Sequence, residues 1–489
     1  MSPSTCRSFC ALALTTVTAN VGLWTPAGGH DEDGHDEDRS APTADVIVFN
    51  DNGAWSWFED ERAVVDVTRG MLLVSSVASA GGTGGVARHG NVEVVAYDLA
   101  SGSTRRSVLH RNLQADDHDS AALYVRPDGR TVAMYSMHAT DRLTRWRVTR
   151  QTGNPTSWEP ERTFDHGAPT TYSNVYTATE ADDLYAFVRA VGRDPHILVS
   201  HDHGSTWGRG GRLLDGPGRP YVRYAATGSG GIHLIATEQH PDDYANGIYH
   251  GVVADGQLLR SDGTAVDTNL FDASAAPPES LTEVFSSDAT RRAWTVDLQV
   301  DRDGHPYAAF SVHSGASRNR YFYARFDGTD WHVHFMAHAG SELYRDQPHY
   351  TGLIALDPHD PNRAFISTDV DPVTGMPLIS NSDQRRHHEL FEGVTVDGGA
   401  SWSWRALTSN STVDNIRPIV PLWDPDHTAL LWLRGTYTSY HDYDLDVVGI
   451  VVAGSARSTM SGCNLNSDVG TSGSGGGFRM VNRNAVGDR

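Results

Sequence analysis

Short runs of apolar residues, each four to eight long and broken by Gly, Pro, Asp or Asn, recur from one end of the chain to the other. "VEVVAYDLASG", "LYAFVRAVG", "IHLIATEQ", "PYAAFSVHSG", "RYFYARFDGTDW", "AFISTDVDP" and "ALLWLRGTY" are examples. β-branched and aromatic residues dominate these runs and no helical period is sustained, so the pattern predicts an all-β chain of short strands and tight turns. One stretch predicts a specific hairpin. In "ADDHDSAALYVRPDGRTVAMYSMHATDR" (115–142), two strand-like runs flank the turn Pro127-Asp128-Gly129. His118 lies just before the first run and His138 just after the second, and antiparallel pairing brings both to the same open end. The chain has 24 histidines, so this placement alone does not separate chemistry from loop structure.

A second pattern is Ser/Thr-x-Asp-x-Gly-x-Ser/Thr-Trp, found as "SHDHGSTW" (200–207) and "TVDGGASW" (395–402). Both resemble the Asp-box, a turn in which the aspartate accepts local hydrogen bonds, glycine permits the backbone angle and tryptophan packs beneath. The looser "FDGTDW" (326–331) and "DRDGHPY" (301–307) predict the same hairpin recurring along the chain. Radial repetition keeps sheet edges short in an all-β chain of this size, so the expected fold is a seven-bladed β-propeller; a two-sheet jelly roll is the alternative and leaves the repeated turns unexplained.

Composition narrows the partners. Acidic residues outnumber basic ones 61 to 39 in 489 residues, a formal net charge of −22. That argues against nucleic-acid binding, and an anionic substrate must meet a local basic site. Cys6, Cys10 and Cys463 form no disulfide framework and no CxxC pattern. The first 28 residues read as a weak secretory signal, too polar and short for a membrane span, so export is expected. Residues 29–44 form an acidic linker and 455–489 a Gly/Ser-rich tail, both expected to be disordered, leaving 45–454 as the propeller. The linker's histidines and carboxylates have no fixed geometry for a metal, and metal content is left open.

No P-loop, GxSxG or HExxH is present. What remains is a scattered His/Tyr/Arg set: Tyr172 and Asn174 in "TTYSNVY", Arg189 in "YAFVRAVG", Arg219 and Arg223 in "RPYVRY", Tyr249 and His250 in "NGIYHG". Taken singly, each has a structural explanation, as a blade-to-blade ion pair, a core aromatic or a surface histidine. Together they suit β-elimination from a uronic acid. A cation neutralises the carboxylate and acidifies the C5 proton, one side chain removes that proton, and another protonates the departing C4 oxygen.

"DNGAWSWFEDERAVV" (51–65), the "DDHDSAAL" and "MYSMH" hairpin, "TYSNVY", "RPYVRY", "IYHG", "YTGLIALDP" (350–358) and "TSNSTVDNIRPIVP" with "LLWLRGTYTSY" (408–440) resemble the neuraminidase-type repeat family that includes the seven-bladed ulvan lyases. The resemblance implies β-eliminative cleavage of rhamnose-α-1,4-glucuronic acid linkages, in ulvan or in rhamnose-capped arabinogalactan gums, by a monomer acting on an anionic uronic-acid polysaccharide. No cofactor is required for that chemistry, and neither a nucleic acid nor a membrane is a partner. Matched by motif, it implies catalytic roles for His118, His138, Tyr172, Arg189 and His250, with base and acid unassigned among His118, His138 and Tyr172. Asn174, Arg223, Tyr249 and Arg320 are the expected substrate contacts, Arg223 and Arg320 facing a neighbouring sugar or its sulfate. A rhamnosidase-type hydrolase acting on the same linkage and a non-catalytic carbohydrate-binding propeller are the alternatives, and a sialidase, which needs an arginine triad, ranks below them.

Overall fold

A computed structural model describes residues 45–453, apart from 178–182, 228–230, 316–318 and 345–346. The proposed signal, linker and tail segments lie outside the described residues. Seven antiparallel sheets follow one another along the chain as the blades of a β-propeller: 63–110, 122–165, 171–212, 222–285, 292–340, 354–406 and 414–453. Six sheets have four strands; the fourth blade carries six. Strand Ile47–Asn50 completes the seventh blade by pairing with Asp442–Ala453, which ties the start of the ring to its end.

In the first six blades the first four strands run in sequence order from the centre of the ring outward; in the seventh, three strands do so and Ile47–Asn50 takes the outermost place. Consequently, second-to-third strand loops and blade-to-blade links emerge together on one face, and first-to-second and third-to-fourth turns on the other. The two Asp-boxes are third-to-fourth turns. Asp202 accepts hydrogen bonds from Thr206 N and Thr206 Oγ1 at 2.7 Å each, and Gly204 has φ +81°. Asp397 receives Ser401 N at 2.9 Å and Ser401 Oγ at 2.6 Å. "FDGTDW" occupies the same position in the fifth blade, between Asn319–Phe326 and Trp331–Gly340. "DRDGHPY" does not: it joins the first and second strands of that blade, because an aspartate folding back on backbone N–H groups suits either turn.

The centre of the ring is filled by the segment "AWSWFEDER" (54–62). Trp57 is 1% exposed; its indole Nε1 donates to Thr351 O at 2.8 Å, and the Arg417 guanidinium lies 3.1 Å over its ring. Phe58 stacks on Trp294 at 4.1 Å. Behind the aromatics come charges. Arg62 pairs with Glu59 (3.2 Å) and donates to Ser173 O and Asn174 Oδ1, both at 2.9 Å. Arg223 is paired with Asp60 (3.2 Å), Glu61 (3.4 Å) and Asp297 (3.5 Å). Burial and like charges drive the carboxyls of Glu61 to about 8 and Asp297 to about 6, against the pull of Arg223. The segment thus ties the innermost strands of several blades together and forms a floor under one face.

Candidate active site

His118 follows the N-capping Asp116 of a one-turn 3-10 helix, Asp117–Asp119, in the link between the first two blades. His138 sits in the second-to-third strand loop of the second blade, after Thr131–Ser136. Both are on the face above the floor, and they meet: the imidazoles stack at 3.9 Å with 17° between planes. Asp116 joins them, its Oδ1 2.6 Å from His118 Nδ1 and its Oδ2 2.8 Å from His138 Nδ1. A carboxylate only accepts, so each Nδ1 carries a proton and each Nε2 is turned away from Asp116. Ser120 Oγ donates to Glu59, and Asp117 receives Arg417 Nη1 at 2.8 Å and the Tyr437 hydroxyl at 3.0 Å, which fixes the turn to the floor.

Tyr172 enters from the third blade. Its φ of +65° and the irregular register between Thr171 and Asn174 take it off the regular pleat, a local strain typical of residues aimed at a site. Its ring centre is 5.7 Å from that of His118. Arg189 ends the second strand of the same blade, with its guanidinium 4.8 Å over the Tyr172 ring and 4.2 Å over that of Tyr221. Arg189 Nη2 donates to Pro220 O at 2.9 Å, its Nε is buried without a partner, and no carboxylate pairs with it among the described residues. From the seventh blade Tyr440 stands edge-on to both imidazoles at 5.4 and 5.6 Å, and His441 Nδ1 lies 3.4 Å from Asp116.

Protonation divides the cluster. Burial works against charge on His118, yet Asp116 and Asp117 outweigh it and hold the imidazole well above its ordinary value. Burial and the His118 charge push His138 down. Asp116, despite burial, is held far below the carboxylate range by the two histidines. Burial raises Tyr172 well above a free phenol, with Arg189 opposing. Near neutrality the cluster is one imidazolium, one neutral imidazole with a free Nε2, one protonated phenol and one guanidinium. Asp116, His118 and His138 also place three donor atoms within 4.8 Å, but each imidazole donates to the carboxylate, and the set is complete as a hydrogen-bonded group. A cavity of about 20 Å³ lined by Arg189 and Tyr172 holds at most a water, whereas on the open side His138 and Tyr440 are part-exposed and His441 is exposed.

Five expected site residues are elsewhere or otherwise engaged. His250, on strand Ile248–Ala254, is 1% exposed between the fourth and fifth blades. Its Nε2 lies 3.1 Å from His233 Nδ1, its Nδ1 lies 2.8 Å from Ser261 Oγ, and its ring lies 5.1 Å from Trp331. The sheet register, pairing it with Ile235 and Thr282, faces it into blade packing. Tyr249 is buried with its hydroxyl on Glu238 at 2.9 Å. Arg223 is consumed by the central ion pairs. Arg320 lines a separate cleft of about 420 Å³ with His338 and Arg386. Asn174 does adjoin Tyr172 and Arg189, but its Oδ1 is taken by Arg62 and by Asp60 N. Conversely, nothing in the local sequence pattern marks Asp116, Tyr221, Tyr440 or His441, although Tyr221 stands inside "RPYVRY" and Asp116 two residues before His118.

A propeller whose face gathers residues from four blades over a plugged centre defines the class, and sequence comparison supplies the family. The model of the BNR repeat-containing family matches residues 83–339, more than half the chain, and the chain belongs to that family. No curated protein sequence matches. Among solved structures it is similar to an ulvan lyase of polysaccharide lyase family PL25 bound to -[GlcA(1-4)Rha3S]-, with 12% identity, a TM-score of 0.60 and coverage of 85% of this chain and 99% of that one. It is also similar to the polysaccharide lyase Uly1, with 10% identity, a TM-score of 0.52 and coverage of 84% and 100%. No helix among the described residues is long and apolar enough to cross a membrane.

Proposed function

We propose that the protein is a secreted, monomeric polysaccharide lyase that cleaves rhamnose-α-1,4-glucuronic acid linkages, in ulvan or in rhamnose-capped gums, by β-elimination. The observation that carries this reading is Arg189: a guanidinium packed against two tyrosine rings with no carboxylate partner among the described residues. A part-buried charge without a counter-ion is costly, and a substrate carboxylate at that spot supplies one. The PL25 neighbour's uronate-containing ligand and the shared fold support the same substrate class.

In this reading the uronate carboxylate lies against Arg189 and the His118 imidazolium, which take up the charge that develops as the C5–H bond breaks. His138 Nε2, the free lone pair, receives that proton. The C4–C5 double bond forms as the C4–O bond breaks, and the Tyr172 hydroxyl, kept protonated by burial, passes its proton to the departing rhamnosyl oxygen. Asp116 holds both imidazoles in the required tautomer, and Tyr221 supports Arg189. No redox cofactor enters these steps.

The test is ultraviolet absorbance of the conjugated unsaturated uronate during incubation with ulvan and with gum arabic. A rise that is lost in Tyr172→Phe, which keeps the ring and deletes only the proton-bearing oxygen, is the expected result. Release of a saturated glucuronate end, or no product from either polymer, overturns the reading.

A further inference from the structure

The face that carries His118 and His138 has a second opening, a cleft of about 420 Å³ between the fifth and sixth blades. One wall is the pair of outer strands of the fifth blade, Asn319–Phe326 and Trp331–Gly340. The other is the segment 369–388, which joins the second and third strands of the sixth blade. That segment is a built arm. Bridges tie Val370 to Pro377 and Ile379 to Arg386, and Pro372 O receives His338 N at 2.9 Å. Gly375, at φ +71°, lies so close to the fifth blade that a Cβ there would stand 3.0 Å from His338 Nδ1. The Asp116 cluster draws on the first, second, third and seventh blades, so this cleft lies across the seven-membered ring from it.

Two guanidiniums line the cleft. Arg320 is exposed, and no carboxylate pairs with it among the described residues; its Cζ lies 5.9 Å from the Phe335 ring centre. Arg386 Nη2 meets Asp369 at 2.6 Å, but Asp369 is shared with Ser341 N (2.9 Å) and Ser341 Oγ (2.5 Å), and the arginine side chain stays 38% exposed. His338 stands opposite Arg320 in the strand register, and burial together with the Arg320 charge pushes its imidazole down, so near neutrality it is an uncharged hydrogen-bonding group. Phe335, 41% exposed, lies 5.3 Å from the His338 ring. A guanidinium matches a carboxylate with paired N–H donors, a neutral imidazole suits a hydroxyl, and an exposed aromatic ring suits the C–H face of a sugar.

We infer that this cleft is a second, non-catalytic polysaccharide site that holds a uronate on Arg320 and Arg386 while another stretch of polymer lies at Arg189. The identity of the ligand rests on the proposed lyase reading. No reacting group comes from the cleft, so its effect is retention: a polymer held at one site presents its other units to the second at raised effective concentration. In a protein of net charge −22, such local cations decide where an anionic chain can settle.

The test is affinity electrophoresis through chemically desulfated ulvan, in which carboxylate is the remaining anion, with mobilities referred to a polymer-free gel. Tyr172→Phe serves as the background, so that the polymer stays whole. Adding Arg320→Gln should weaken the apparent affinity about tenfold, the usual worth of a hydrogen bond to a charged group. Arg105→Gln, which removes an exposed charge from the outer strand of the first blade, should leave it unchanged. Arg189→Ala should weaken retention in part, and Arg189→Ala with Arg320→Gln should abolish it. Unaltered retention in Arg320→Gln, an equal loss in Arg105→Gln, or full retention by ulvan whose carboxyls have been reduced to alcohols overturns the inference. Retention that falls in Arg320→Gln while the wild type forms no unsaturated product upholds the cleft and overturns the lyase reading alone.

Discussion

Two of the protein's contacting histidine pairs have opposite surroundings. His118 and His138 stack face to face around a shared carboxylate on an open face. His233 and His250 meet nitrogen to nitrogen at 3.1 Å inside a sheet, and no carboxylate pairs with either among the described residues. In the first pair Asp116 makes one ring a stable cation and leaves the other neutral. In the second, burial depresses both, His233 to about 4 and His250 well below its ordinary value, so both are neutral near pH 7. Paired histidines thus form a charged, part-open group in one place and a neutral, packed one in the other. What separates them is one acceptor and one open side.

Asp116→Asn should break the contrast most severely. An amide can donate to one imidazole where the carboxylate accepted from both, so a tautomer is lost along with the His118 charge. Loss of kcat on the order of 1000- to 10,000-fold is expected, read by unsaturated-product formation, with the circular dichroism of the fold retained. Arg189→Ala should cost on the order of 100- to 1000-fold by the same assay, since it removes charge stabilisation at the carboxylate and leaves the histidine pair intact. His250→Gln should leave kcat within about twofold and lower stability by about 1–3 kcal/mol in urea unfolding, the cost of disturbing a buried polar contact. A kcat loss as large as that of Arg189→Ala would return His250 to the active site.

The subtlest separation lies in pH. His118 is raised in the folded protein, so its stabilisation is complete below the unfolded value of about 6.5 and fades as pH rises through its folded value. His233 is lowered, so its contribution is present above about 6.5 and is lost as pH falls towards 4. Wild type and variants, unfolded in urea across this range, should therefore diverge on opposite sides of pH 6.5: Asp116→Asn should flatten the alkaline limb and His233→Gln the acid limb. Parallel curves on both sides would show that the pairs do not differ in charge.

How far the sequence reveals this depends on distance along the chain. The meeting of His118 and His138 is legible because one hairpin with a Pro-Asp-Gly turn fixes both ends. The seven-bladed ring is legible from its strand spacing and Asp-boxes. Tyr172 and Arg189 were placed by motif resemblance; nothing in local pattern says that their blade rotates them towards the histidines. Asp116 is obscured because "ADDHD" offers three aspartates, and only the backbone of one turn decides which receives the imidazoles and which receives Arg417. Tyr440 arrives from more than three hundred residues away. The place of His250 is not legible because "NGIYHG" reads alike whether its histidine faces solvent or a neighbouring blade; strand register decides that, and register depends on partners distant in sequence.

The pairing of Ile47–Asn50 with Asp442–Ala453 has a consequence for biosynthesis. The chain leaves the ribosome with its first strand ready and that strand's partner almost four hundred residues behind, and the floor segment that follows, 54–62, likewise waits for Arg417 and Thr351. Early blades can form as local hairpins, but the platform beneath the histidines is finished only after the last blade emerges, and such long-range closure is slow and exposes unpaired edges meanwhile. Completion of this face therefore waits for the seventh blade, whose Arg417 and Tyr437 hold Asp117 and with it the turn that carries His118.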